Sequence, residues 1–315
     1  MSVKIILIGK NGQIGRDLNF LLPRLGEMTA LGREKLDLTK PNDIREAVRT
    51  IRPNVIVNAA AYTAVDQAES DELAAHAINA EAPGLLAEEA KKAGALLVHF
   101  STDYVFDGLK RAPYNEDDPA NPVNIYGKTK LEGERRIQAS GAVHIIFRTE
   151  WVYSREGRNF LLTILRLATH QKELRIVDDQ IGSPTASREI AAATVHVLEQ
   201  ALAGQSGPCS LSDVSRVYHM TAAGETTWYG FAKAILEEAA QVPPNDPWLG
   251  VATGHHPLVT RRVFPISTAE YPTPARRPSY TILSNAKLER TFGVRMPDWR
   301  EQLHSVFAGP SMCEA

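Results

Sequence analysis

Two residues four apart, Tyr126 and Lys130, stand in the run Tyr-Gly-Lys-Thr-Lys. If that run is helical, both side chains lie on one face, one turn apart. A phenol ordinarily titrates near 10 and is a poor acid–base group at neutral pH. An ammonium beside it favours the phenolate and lowers that value. Lys130 could also hold a ribose. Ahead of this pair, Ser101-Thr102-Asp103-Tyr104 closes an apolar run. A Thr102 hydroxyl at the carboxyl end of a strand could bond a substrate carbonyl. Near the start, Gly9-Lys10-Asn11-Gly12-Gln13-Ile14-Gly15 spaces three glycines by three and three. The first permits a tight turn, the second a close approach of backbone to a pyrophosphate, the third close packing of helix on strand. Each feature alone has a plain structural reading: turn glycines, a chance Tyr and Lys, a hydroxyl capping a turn. Their occurrence together, in this order, argues against coincidence.

These groups need elements to position them. Residues 3–9 read as a strand buried on both faces. An amphipathic stretch, 14–25, follows the glycine turn, and 27–31 is a second strand. Residues 41–52 read as a helix opened by Pro41, with Ile44, Val48 and Ile51 on one stripe. Residues 55–59 form a strand, 71–94 a helix, 95–101 a strand, 126–139 a helix and 143–148 a strand. This alternation implies a doubly wound parallel α/β sheet of Rossmann type. The expectation is a dinucleotide-binding domain over 1–165 carrying Tyr126 and Lys130. Residues 166–315 are expected to be mainly a smaller C-terminal α/β substrate lobe, with segments returning to the first domain. Helices are expected there at 159–170, 187–203, 227–240 and 284–292. The proline-rich stretch 242–278 reads as ordered loop, because Trp248, Val263, Phe264 and Tyr271 are interspersed. Residues 308–315 read as frayed.

Composition narrows the class. The 315 residues are 43% apolar and 23% charged, and 35 basic groups against 37 acidic leave a net charge of -2. That balance argues against nucleic acid or anionic lipid as a partner. No apolar run reaches a membrane span, and the short N-terminal run does not read as a signal peptide. Cys209 and Cys313 are far apart and near no other metal ligand at finger spacing. A reduced, cytoplasmic protein is expected, with no metal site of its own. His255-His256 is the only adjacent histidine pair and has no carboxylate at ligand spacing.

An acid about 20 residues beyond the glycines would bond a ribose and favour NAD. Here the second strand ends in Leu31-Gly32-Arg33. Arg33 could pair with a 2′-phosphate, which favours NADPH and leaves NADH open. The alternative is a solvated Arg33. Asp37 follows, as an adenine contact or a helix-leading acid.

With these motifs in place, the chain resembles the extended short-chain dehydrogenases/reductases, and within them the dTDP-4-dehydrorhamnose reductase family. The resemblance rests on Gly9–Gly15, Asn58–Glu69 (NAAAYTAVDQAE), Ser101–Gly108 (STDYVFDG), Tyr126–Glu134, Arg148–Tyr153 (RTEWVY), Asn159-Phe160, Asp179–Thr185 (DQIGSPT) and residues 277–288. It implies a catalytic triad of Thr102, Tyr126 and Lys130. It implies cofactor contacts at Gln13, Ile14, Asp37, Leu38, Ala61, Tyr62 and Thr63; the glycine turn (Gly9, Gly12, Gly15), Arg33, Ala59, Ala60, Tyr126 and Lys130 are expected to join them. Thr102, Asp103 and Trp151 would touch the nucleotide sugar. Asp66 lies in the same runs with no role assigned. The implied reaction is NADPH-dependent reduction of the C4 keto group of dTDP-4-dehydro-β-L-rhamnose to dTDP-L-rhamnose, the last step of that biosynthesis. Some members hold Mg²⁺ at a dimer interface; no acidic cluster here forces it, and a homodimer is left open. Related nucleotide-sugar dehydratases carry Asp-Glu after the strand-end Thr. Here Tyr104 follows Asp103, which favours reduction over elimination of water.

Glu150 departs from the family, where a small residue is more usual. Beside a pyrophosphate its carboxylate would have to point away or pair with Arg148. Arg276 and Arg277 could clamp a diphosphate or be solvated. Two other functions stay open. One is a non-catalytic, cofactor-binding regulatory subunit resembling the methionine adenosyltransferase beta subunit. The other is a reductase or epimerase for another nucleotide sugar.

Overall fold

The computed structural model describes residues 2–203, 213–243 and 245–309; Cys209 and Cys313 lie outside them. The first half runs β1 (Lys4–Ile8), α1 (Gln13–Leu21), β2 (Glu27–Leu31), α2 (Pro41–Ile51), β3 (Val55–Asn58), α3 (Val65–Ala68), α4 (Glu72–His76), α5 (Ala82–Ala93), β4 (Leu96–Thr102), α6 (Ile125–Ser140) and β5 (His144–Thr149). The second half runs β6 (Val152–Tyr153), α7 (Phe160–Ala168), β7 (Glu173–Val177), β8 (Ile181–Gly182), β9 (Thr185–Ala186), α8 (Ser187–Ala203), β10 (Arg216–His219), β11 (Thr226–Thr227), α9 (Trp228–Gln241), α10 (Pro247–Ala252), β12 (Arg262–Ile266), α11 (Ala286–Phe292) and α12 (Trp299–Ala308).

Six strands form one parallel sheet in the order β10-β5-β4-β3-β1-β2. Every residue of β3, β4 and β5 is buried. That burial is why these strands are continuous apolar runs rather than alternating ones. One face packs on α1, α8 and α11 through Leu18, Ile190, Val197 and Leu288. The other packs on α2, α5 and α6 through Ile44, Val48, Leu86 and Ile137. The chain leaves β1 toward β2 on one side and toward β3 on the other. The carboxyl ends of β1 and β3 thus flank the crevice where such sheets bind ligands. A second core joins α7, α9 and α12 around Tyr153, Phe231, Trp299 and Leu303.

Several expectations need correction. The expected helix over 71–94 is α4 and α5 joined by a π-helical turn, Ala77–Glu81. Buried Asn79 in that turn accepts the Tyr62 N–H at 2.9 Å and donates to the Tyr62 carbonyl and to Thr129. The irregular turn thereby ties the 61–63 segment to α6. The stretch 242–278 is not all loop, since it contains α10 and β12, and β12 pairs in parallel with β7. Ala308 is the last residue of α12, and 310–315 of the stretch expected to fray lie outside the described residues. Several elements of the second half went unread, among them β7, β10 and α12. Strand β10 adds the outermost strand of the sheet beside β5, and α12 carries the second core.

Candidate active site

The glycine turn leads directly into α1. Gly9 has φ +87°, and a Cβ there would sit 2.7 Å from the Ala60 nitrogen. Gly15 is buried, and a Cβ on it would collide with the Gly9 carbonyl oxygen. Both positions therefore require glycine. Beyond the turn lies a cleft of about 560 Å³. Its walls include Gly9, Gly12, Gln13, Ile14, Arg33, Asp37, Leu38, Ala59, Ala60, Ala61, Tyr62, Thr63, Tyr126 and Lys130. Gly15 is not on the wall; it packs α1 against the turn. Thr102, Asp103 and Trp151 also lie off this wall.

The walls contain residues the sequence reading missed: Asn11, Gly32, Leu36, Ser101, Thr149, Val152, Gly157 and Arg158 among them. Buried Ser101 Oγ and Thr149 Oγ1 have no hydrogen-bond partner among the described residues. Orphaned buried hydroxyls on a cleft wall fit a polar ligand lying across them. Together with the turn that only glycine permits, they fit a dinucleotide.

Some expected contacts are partly engaged by the protein. Gln13 donates to the Val152 carbonyl at 3.2 Å and accepts from Ser154 and Asn159 at 2.9 and 2.8 Å. Asp37 accepts from the Thr39 N–H and hydroxyl at 3.0 and 2.8 Å, which hold its carboxyl below the usual range.

Helix α6 delivers Tyr126 and Lys130. Asn124 caps it, accepting the Gly127 N–H at 2.8 Å, and also donates to the Arg276 carbonyl. Loss of water around the Tyr126 phenol pushes it well above its ordinary value; the Thr102 hydroxyl beside it works the other way, and Asp103 adds to the rise. This corrects the expectation that Lys130 holds the phenol low. The Lys130 ammonium position points under the cleft, with Nζ 2.6 Å from the Phe100 carbonyl and 3.2 Å from His99 Nε2.

Behind Thr102 lies an acid pair. Thr102 donates to Asp103 at 2.8 Å and accepts the Tyr104 N–H at 3.2 Å. Thr281 donates to Glu150 at 2.8 Å. Asp103 Oδ2 and Glu150 Oε1 are both buried and unpartnered. Arg148 does not pair with Glu150; its guanidinium bonds both oxygens of Glu134, at 3.0 and 2.7 Å. Burial pushes Asp103 up to about 7 against the pull of the Thr102 and Thr281 hydroxyls. Burial, and then the charge of Asp103, push Glu150 well above the carboxylate range. Two such neighbours do not both ionise at neutral pH. Folded Glu150 therefore keeps a proton that the unfolded chain releases, so its presence weakens the fold as pH rises through the ordinary carboxylate range. Glu150→Gln should be more stable than the parent at pH 8. The gap should close toward pH 4. Melting curves across that range check it; a parent as stable as the variant at pH 8 would contradict the buried, protonated Glu150.

Trp151 has its backbone at φ +43° and stacks face to face on Trp228, with ring centroids 3.5 Å apart. Arg276 is exposed. Arg277 instead reaches back to Asp66, at 3.1 and 2.8 Å, where the Ala275 N–H also donates at 3.2 Å. Burial raises Asp66, but Arg277 and that N–H outweigh it and hold the carboxyl low.

Residues 3–311 match the family described as RmlD substrate binding domain. A dTDP-4-dehydrorhamnose reductase of Burkholderia thailandensis is 47% identical over 298 residues, covering 95% of this chain and 96% of that protein. One from Escherichia coli is 41% identical over 302 residues, with 95% of each covered. The chain belongs to the dTDP-4-dehydrorhamnose reductase family. A Bacillus anthracis member solved in complex with NADP superposes with a TM-score of 0.85 at 32% identity, covering 98% of this chain and 99% of that one. Among the described residues, no helix is long and apolar enough to cross a membrane.

Proposed function

We propose that this family member reduces the C4 keto group of dTDP-4-dehydro-β-L-rhamnose to dTDP-L-rhamnose, the last step of dTDP-L-rhamnose biosynthesis, with NADPH as the reductant. The observation that carries the reading is local. Tyr126 stands on the wall of the dinucleotide cleft with the Thr102 hydroxyl beside its phenol. A keto oxygen placed between them meets the phenol's proton and, once the Thr102 hydroxyl turns from Asp103 toward it, a second hydrogen-bond donor.

When bound, the nicotinamide supplies hydride. The chain's residues do the rest. Tyr126, kept as a neutral phenol by its surroundings, gives its proton to the oxygen that becomes the C4 hydroxyl. Thr102 bonds the same oxygen and steadies its developing charge. Lys130 would hold the ribose, and Asp103 and Trp151 would touch the sugar. Arg33 lines the cleft, where a guanidinium would suit a 2′-phosphate, and this supports NADPH over NADH.

The test is the loss of reduced-nicotinamide absorbance with purified protein, NADPH or NADH, and enzymatically prepared dTDP-4-keto-6-deoxy-L-sugar. Oxidation yielding dTDP-L-rhamnose, faster with NADPH, is the expected result. Binding of both cofactors without oxidation would move the reading to a regulatory subunit. A different product stereochemistry would move it to another nucleotide sugar.

A further inference from the structure

Asn58 at the end of β3, His99 midway along β4 and Lys130 in the second turn of α6 form a buried row. None is more than 1% exposed. Asn58 Oδ1 accepts the Ala60 N–H at 3.2 Å. Its Nδ2 is therefore the atom facing His99 Nδ1, at 3.1 Å. The flipped amide would set two donors against each other at Ala60. An amide NH₂ only donates, so Nδ1 must accept and carries no proton. A neutral imidazole then has its single proton on Nε2. That nitrogen lies 3.2 Å from Lys130 Nζ.

An ammonium has three donors and no lone pair. Facing Nε2–H, it would meet a donor with a donor. The row closes only when Nζ offers a lone pair. An uncharged amine does so, accepting from Nε2–H while donating to the Phe100 carbonyl at 2.6 Å. Doubly protonated His99 fails as well, because its Nδ1–H would face the Asn58 NH₂.

We propose that His99 is a positioning residue that holds Lys130 as an uncharged amine in the free protein, and that dinucleotide binding draws one proton from solvent onto Nζ. The proposal rests on the reading that a nicotinamide dinucleotide fills the cleft. An anionic ligand over Nζ favours the ammonium, and a ribose hydroxyl gives it an acceptor that His99 does not. The groups facing the row agree. Burial pulls Lys130 down to about 8; Glu134, one turn along α6, opposes this, but its carboxylate is already bound by Arg148. Burial holds His99 well below its ordinary value, so its ring is neutral. Tyr126 is the other titratable group on this face of α6. The charge that assists the phenol is thus absent until the cofactor is in place.

The experiment is calorimetric titration of the intact protein with NADPH at pH 8.5, in two buffers of different ionisation enthalpy. At that pH the cofactor's phosphates are fully ionised and add no protons of their own. The expected result is uptake of more than half a proton per NADPH bound. Lys130→Met loses a ribose contact and should bind NADPH more weakly; at saturating cofactor it should take up no proton. His99→Phe keeps a ring in place and removes both nitrogens, and should at least halve the uptake. Binding by the parent with no proton change would overturn the proposal, as would unchanged uptake in Lys130→Met or in folded His99→Phe. Should His99→Phe not fold, the parent and Lys130→Met counts decide alone. Absence of NADPH binding is a separate result; it would overturn the cofactor reading, and this proposal with it.

Discussion

Tyr126→Phe is expected to lower kcat by roughly 10²–10⁴, the usual worth of a positioned proton donor. The ring stays, so its edge-on packing against Tyr104, with centroids 5.8 Å apart, survives. NADPH affinity should change by no more than about a factor of three, because the phenylalanine still lines the cleft. Hydride reaching the carbonyl carbon leaves charge on oxygen, and without a phenol only Thr102 remains to meet it. Single-turnover oxidation of bound NADPH, alongside fluorescence titration of cofactor binding, separates the two effects. A variant that binds NADPH normally and turns over near the parent rate would remove Tyr126 from the mechanism. So would a variant that loses cofactor binding and keeps kcat.

The second large effect is on the fold. Arg148→Met should destabilise the protein by about 3–5 kcal/mol, the range for breaking a buried ion pair from one side. Both partners are at most 6% exposed along their side chains, and the guanidinium grips both carboxylate oxygens. Methionine fills much of the volume but leaves the Glu134 charge in the interior with no cation. The Arg148 guanidinium also lies 5.1 Å over the Phe106 ring. Adding Glu134→Leu should recover most of the loss, since no charge is then stranded. Urea denaturation of parent, single and double variants measures this. Equal loss in single and double would place the cost in packing rather than in the orphaned charge.

The parts of the site written in neighbouring residues were legible. Gly9, Gly12 and Gly15 are spaced for a turn, and Tyr126 and Lys130 for one helix face, so local geometry alone brings them together. The parts that depend on distant returns were not. Arg277 meets Asp66 across 211 positions, and Thr281 meets Glu150 across 131. No periodicity records such pairings. Glu150 was visible as an odd residue, yet its hydrogen bond comes from Thr281 and its charged neighbour is another acid, Asp103, not Arg148. Lys130 was placed on the correct face, but the direction of its amine depends on His99 and Phe100 of a different element. Strand β10 is only four residues long, too short for alternation to announce it. Helix α12 was legible in principle, since Trp299, Leu303, Val306 and Phe307 share one stripe.

Strand β10 also bears on how the molecule is made. A ribosome releases β1 through β5 long before residues 216–219 emerge. Until then β5 presents a bare row of amide and carbonyl groups, flanked by apolar side chains that wait for α8. Such an edge is a template for another strand. The nascent chain therefore passes through a stage in which Thr102, Tyr126 and Lys130 are all synthesised while its sheet is still open and that edge is free to pair with another strand.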